Sequence, residues 1–162
     1  MPKRTLILGL GNPILGDDGI GWRVVEMVQP FLTDAALEAD CLAVGGLSLM
    51  ERLTGYDRAV LVDAIKTGKQ PAGSVSVFTL SDLPDLQAGH LSSAHDTSLQ
   101  KALQVGRLSG AHLPEEIFIV TVEVQQVCDF SEQLSPELQT ALPLAVRQVM
   151  EILRQGVDFP NS

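Results

Sequence analysis

Basic residues are scarce in this sequence of 162 residues. Lys and Arg total 11 against 20 Asp and Glu, a formal net charge of −9. Phosphate binding needs clustered cations, so the composition argues against a nucleic-acid partner. The surface instead favours basic partners or plain solubility. Cysteine is scarce too. Cys41 and Cys128 stand far apart with no CxxC, which argues against a thiolate metal knot and against a redox pair. Both read as small apolar core residues. No window approaches the roughly 18 apolar residues of a membrane span, so no membrane partner is expected. The opening Met1-Pro2-Lys3-Arg4, followed by the short run Thr5 to Leu10, lacks the apolar length and cleavage site of a secretory signal. A cytoplasmic protein is expected.

What the sequence does have is apolar material, at 45%, in a length that suits one core. Strand-like and helix-like segments alternate along it. Residues 5–10 form a continuous apolar run, as in a strand buried on both faces. Ile20, Val24, Val25 and Val28 fall at helical spacing. Cys41 to Val44 reads as a second strand ending at Gly45-Gly46, and Leu47, Leu49, Met50 and Leu53 as a short helix. Residues 59–65 read as a third buried strand, Val75 to Phe78 as a fourth, and Ile117 to Val122 as a fifth. Ser81 to Ser98 is polar and reads as a loop, with a helix marked by Leu99, Ala102, Leu103 and Leu108. Pro136 opens a last helix carrying Leu138, Leu142, Leu144, Val149 and Leu153, with Pro143 as an interruption or boundary. The alternation predicts an α/β fold, a three-layer αβα sandwich on a mostly parallel sheet. Residues 1–155 read as a single domain, and 156–162 as a C-terminal tail.

The segment GLGNPILGDDGIG (residues 9–21) joins the first strand to the first helix, where a dinucleotide fingerprint would sit. The spacing fails GxGxxG, because the glycine after Gly11 falls at Gly16. Asp17 and Asp18 would also place two carboxylates where a pyrophosphate would have to bind, so a phosphate site is disfavoured. One account of the pair is helix capping, with Asp17 as the N-cap and Asp18 gaining from the helix dipole. Capping by one residue is compatible with the other facing a cleft.

Asp63 follows Ala59 to Val62 in a buried strand, where a charge is costly unless it is paired or opens onto a cleft. Ligands of open α/β sheets bind beyond the carboxyl ends of the strands, which is where Asp63 and the first loop both project. A structural account, with Asp63 capping a loop amide, stays open beside it. His95 stands in SSAHDTSL, just ahead of a helix expected near Asp96 or Thr97. His90, in a Gly-Ser stretch, and His112, in a turn without acidic company, are its competitors. Two carboxylates and an imidazole form an oxygen/nitrogen set with open coordination positions, suited to Ni²⁺, Zn²⁺ or Fe²⁺.

At these residues the sequence resembles the hydrogenase maturation endopeptidases, which process [NiFe]-hydrogenase large subunits. Four segments carry the resemblance in the family's order: GLGNPILGDDGIG, then VGGLSLMERLTGYDRAVLVDAI (44–65), SSAHDTSLQKAL (92–103) and FSEQLSPELQTALP (130–143). It implies a twisted, mainly parallel five-stranded sheet between helices. It assigns the family's metal-binding acid to Asp18, its strand-end Asp to Asp63 and its histidine to His95. It also implies an activity: cutting a C-terminal extension from the large-subunit precursor after nickel insertion, with substrate-borne nickel as the recognition element. Zn or another divalent ion would substitute in the free protein. Val44 is a departure, since many relatives carry Asp immediately before the Gly-Gly pair.

The usual protease devices are missing. The sequence has no HExxH, no GxSxG elbow, and no base beside either cysteine. A metal-polarised carbonyl or metal-bound water is the expected chemistry, with Asp17 or Asp18 as general base. The alternative is a site that only reads nickel. Two other functions compete: a nickel-binding chaperone that cuts nothing, and peptidyl-tRNA hydrolase, whose opening LILGLGNP resembles. That second family continues into an Arg-His-Asn stretch that is absent here, and a charge of −9 suits tRNA poorly. A monomer is expected, as no exposed apolar stripe stands out.

Overall fold

The computed structural model describes residues 2–43, 47–80, 93–125 and 130–155, with backbone alone for 93–99. In chain order the elements are β1 (Thr5–Leu10), a 3-10 turn (Gly16–Gly19), α1 (Ile20–Val28), a second 3-10 turn (Gln29–Phe31) and β2 (Leu37–Leu42). Then come α2 (Leu47–Leu53), β3 (Arg58–Ile65), β4 (Val75–Thr79), α3 (Ser93–Leu108), β5 (Glu116–Glu123) and α4 (Pro136–Gln155). They form one five-stranded sheet in the order β2-β1-β3-β5-β4. β2, β1, β3 and β5 are mutually parallel, and β4 runs antiparallel on the edge of β5. The expected α/β sandwich with a mainly parallel sheet is the observed one.

Strand alternation builds two cores, one on each face. Ile7, Val60, Val62, Val120 and Val122 face α1 and α4, meeting Ile20, Val24, Val28, Leu138, Ala145 and Val149. Leu6, Leu8, Ala59, Leu61, Ile117 and Ile119 face the other way, onto Leu49, Leu53 and Leu103 of α2 and α3. β1 and β3 are buried along their whole length, which is why both read as unbroken apolar runs. Each fully buried Val, Leu or Ile is worth about 1.5–3 kcal/mol, so these two layers are what order the carboxyl edge of the sheet.

Several expectations move. β2 lies at Leu37–Leu42 rather than from Cys41 to Val44, and Val44 with Gly45-Gly46 falls outside the described residues. Helix α3 begins at Ser93, so the polar stretch read as a loop is helical from there on. Helix α4 runs through Pro143 without a break. That proline is exposed, so the carbonyl it frees one turn earlier faces water rather than the core. Leu144, placed on the apolar face by spacing, is exposed instead. Leu108 of α3 is exposed as well. Cys41 is half-buried against the α1/α4 core, whereas Cys128 and the 156–162 tail fall outside the described residues. No helix among the described residues is long and apolar enough to cross a membrane.

Candidate active site at the carboxyl edge of the sheet

From β1 the chain crosses to β2 on one side, and later returns to β3 on the other. The order therefore reverses between β1 and β3, and the loops leaving their carboxyl ends part there to leave a crevice. The loop after β1 enters it as a tight knot. Leu15 N–H donates to Asn12 O (3.1 Å), Asp18 N–H to Leu15 O (3.2 Å) and Gly16 N–H to Ser131 O (2.7 Å). The Asn12 side chain accepts from Ile14 N–H at 3.1 Å, which sets the turn. Gly11 has φ +112°, and a Cβ there would lie 2.1 Å from Asp18 O. Only glycine meets both conditions. Gly21, in the first turn of α1, is needed for closeness alone: a Cβ would lie 2.3 Å from Val62 O and 2.6 Å from Leu10 O. Helix α1 and the 3-10 turn are thereby pressed against β1 and β3.

Asp18 sits in that 3-10 turn and is buried. Its Oδ2 accepts from Asn12 N–H at 2.8 Å, a charge-assisted bond that fixes the carboxylate against the loop's own start. Asp17 has a different task. Its Oδ1 accepts from Ser135 N–H at 2.7 Å, tying the loop to the residue ahead of α4. The expected capping of α1 by Asp17 does not occur, because Gly19 occupies the N-cap without a side-chain bond. The tether to Ser135 takes its place, with a bridge between Leu15 and Ser131 beside it.

Asp63 is 4% exposed, and β3 continues two residues beyond it to Ile65. Its Oδ1 accepts from Ala64 N–H at 2.8 Å. By alternation with Ala59 and Leu61 it projects on the α2/α3 face. Across the ladder it is paired with Thr121 of β5, and Ile65 with Glu123. Glu123 is buried and accepts from Thr67 N–H at 2.8 Å and from the Thr67 hydroxyl, closing the turn after β3. Thr121 and Glu123 were not picked out from the sequence. The available signal was a pair of polar residues alternating at the end of the apolar strand IFIVTVE.

His95 lies in the first turn of α3. That helix ends at the opposite, amino edge, where Arg107 Nη2 donates to Pro114 O (3.3 Å) ahead of β5. Leu103 packs with Ile117 and Ile119, so α3 runs antiparallel to β5. From Leu103 back to His95 the helix rises about 12 Å. The start of α3 is thus at the carboxyl edge, on the face to which Asp63 projects. The His95 side chain is outside the described atoms. His90 is outside the described residues. His112 sits at the amino edge with its Nε2 2.8 Å from Asp57 Oδ1. It therefore has the acidic company that its sequence neighbours did not suggest, since Asp57 is 55 positions away. Among the residues whose side chains are described, no group of three His, Cys, Asp or Glu is placed to hold a metal ion.

The chain is similar to known proteins along nearly its whole length. The Hydrogenase 2 maturation protease of Escherichia coli (strain K12) is 27% identical over 157 residues, covering 96% of this chain and 94% of its own. The hydrogenase expression/formation protein HupD of Rhizobium leguminosarum bv. viciae is 28% identical over 153 residues, covering 93% of this chain and 74% of its own. Among solved structures, the hydrogenase maturating endopeptidase HybD from E. coli superposes with a TM-score of 0.82 at 26% identity, covering 95% of this chain and 94% of that one. The [NiFe] hydrogenase maturation protease HybD from Thermococcus kodakarensis gives 0.68 at 27% identity, covering 92% and 98%. The family model described as hydrogenase maturation protease matches residues 43–152, from the end of β2 to the last turn of α4. By that match, this chain belongs to the hydrogenase maturation protease family.

Proposed function

We propose that this chain is the endopeptidase that removes the C-terminal extension of a [NiFe]-hydrogenase large-subunit precursor after nickel insertion, and that it recognises the substrate-borne nickel through Asp18, Asp63 and His95. What supports the reading is the burial of both Asp18 and Asp63 beside the β1/β3 crevice, in a chain of this protease family. Backbone amides of Asn12 and Ala64 hold the two carboxylates in place, and the carboxyl edge of an open sheet is where ligands bind. Two carboxylates with one imidazole suit a borderline divalent ion and leave positions open for the substrate's own ligands. Nickel arrives here as part of the substrate, and Zn or another divalent ion would take the same ligands in the free protein.

Asp18 rather than Asp17 is assigned to the site: its carboxylate is buried within the crevice loop, whereas that of Asp17 ties the loop outward to Ser135. Bound nickel would polarise the scissile carbonyl or acidify an attacking water. Asp18, held by Asn12 at the mouth of the crevice, would then orient the reacting group or take its proton. Loss of cleavage in Asp18→Ala with precursor binding unchanged would exclude a purely recognising role. We place the protein in the cytoplasm as a monomer, with the precursor as its partner and no role for nucleic acid or membrane.

The test is a mass spectrum of a cognate large-subunit precursor incubated with this chain, with and without nickel. Loss of a short C-terminal peptide from the nickel-loaded form alone is expected. An intact, properly loaded precursor would sink the endopeptidase reading and leave a nickel-binding chaperone.

A further inference from the structure

Thr121, the sixth residue of β5, is 3% exposed. Its Oγ1 finds no hydrogen-bond partner among the described residues. The side chain follows Ile117 and Ile119 onto the α2/α3 face, while Val120 and Val122 turn the other way. In register it stands opposite Asp63 of β3 and opposite Ser76 of β4. A polar row, Asp63–Thr121–Ser76, therefore crosses three strands immediately above an apolar layer of Ala59, Leu61, Ile117 and Ile119.

A buried hydroxyl without a partner destabilises a fold, and replacing it by an apolar group of the same shape is neutral or stabilising. Valine has that shape and suits a strand at least as well as threonine. Among the described residues, the hydroxyl of Thr121 thus contributes no bond to the free chain. Its near neighbour is a carboxylate assigned to the site, on a strand about 4.8 Å away. Rotation about a single bond turns Oγ1 toward it.

We infer that Thr121 is a positioning residue. When the precursor occupies the crevice, its Oγ1–H donates to the Asp63 carboxylate and fixes the plane in which Asp63 meets the substrate. The inference rests on Asp63 belonging to the recognition site.

The experiment compares wild type, Thr121→Val and Thr121→Ser, reading the melting temperature of each chain and its rate of cleavage of nickel-loaded precursor. Thr121→Val is expected to melt at or above the wild-type temperature, yet to cleave about 10–100-fold more slowly, the usual effect of removing a group that orients a ligand. Thr121→Ser, which keeps the hydroxyl, is expected to recover most of the rate. Wild-type cleavage by Thr121→Val, a marked fall in its melting temperature, or failure of Thr121→Ser to recover would each overturn the inference while leaving the endopeptidase reading intact. No cleavage by the wild-type chain would overturn that reading, and the inference with it.

Discussion

The carboxylate of Asp18 accepts from the backbone of its own loop, and that of Asp17, one residue earlier, from the backbone ahead of α4. The sequence pattern singled out both as acids at the start of a helix, and nothing local separates them. The separation comes from Ser135, 118 positions away. Asp63 was legible because a charge interrupting an apolar strand demands a reason. Thr121 was not, because threonine is at home in any strand. Cys41 was read as a small core residue, and its surroundings agree: burial first, then the nearby Asp40 and Glu26 charges, pushes its thiol up to about 11. The thiolate is the reactive form, so Cys41 should resist alkylation in the native chain near neutral pH and react on unfolding. Peptide mapping after iodoacetamide treatment checks this. Rapid native labelling at Cys41 would contradict it.

Whole elements were legible where periodicity is strong and blurred where one side is wet. β1, β3, α1 and α2 lie where the pattern puts them. β2 is an edge strand: Leu37, Ala39 and Cys41 pack on the core, while Glu38 and Asp40 turn outward to Arg4, Tyr56 and Arg52. Its polar half disguised it, and the reading slid toward the next apolar residues. The start of α3 failed for a related reason, since Ser93 to Ser98 carries no apolar stripe. The placement of α1 yields a sharp prediction. In Gly21→Ala the added methyl would meet two backbone oxygens that cannot rotate away. A loss of about 1–3 kcal/mol is expected in urea unfolding, from overpacking. A change within about 0.5 kcal/mol would contradict the close approach of helix and sheet.

Across the molecule, polar chemistry gathers at both ends of the sheet with different consequences. Along the outer strand β2 and at the amino edge, three carboxylates are paired. Glu38 accepts from Tyr56 Oη (2.6 Å) and Arg4 Nη2 (3.0 Å), Asp40 from Arg52 Nε (2.8 Å), and Asp57 from Arg4 N–H (2.8 Å). The Tyr56 and Arg4 bonds hold the Glu38 carboxyl below its ordinary value. Burial works against ionised Asp40, but the Arg52 side chain and the Cys41 amide together outweigh it and the net shift is downward. Asp57 is lowered by the Arg4 amide and then by His112. Carboxyls lowered in the folded state stabilise it above their unfolded pKa and stop doing so as pH falls through the folded values. Stability should therefore be full at neutral pH and decline below about 4. In a Glu38→Gln, Asp57→Asn variant the decline in urea midpoint should be shallower. An identical acid profile in that variant would remove this edge from the account.

The carboxyl edge differs in kind, since main-chain atoms of three segments stand there nearly in touch, Gly11 beneath Asp18 and Gly21 beneath Val62. Such an arrangement has almost no clearance. A seat of this sort moves as one piece with the sheet, so a push on the Asp18 loop passes to β1 and β3 without slack.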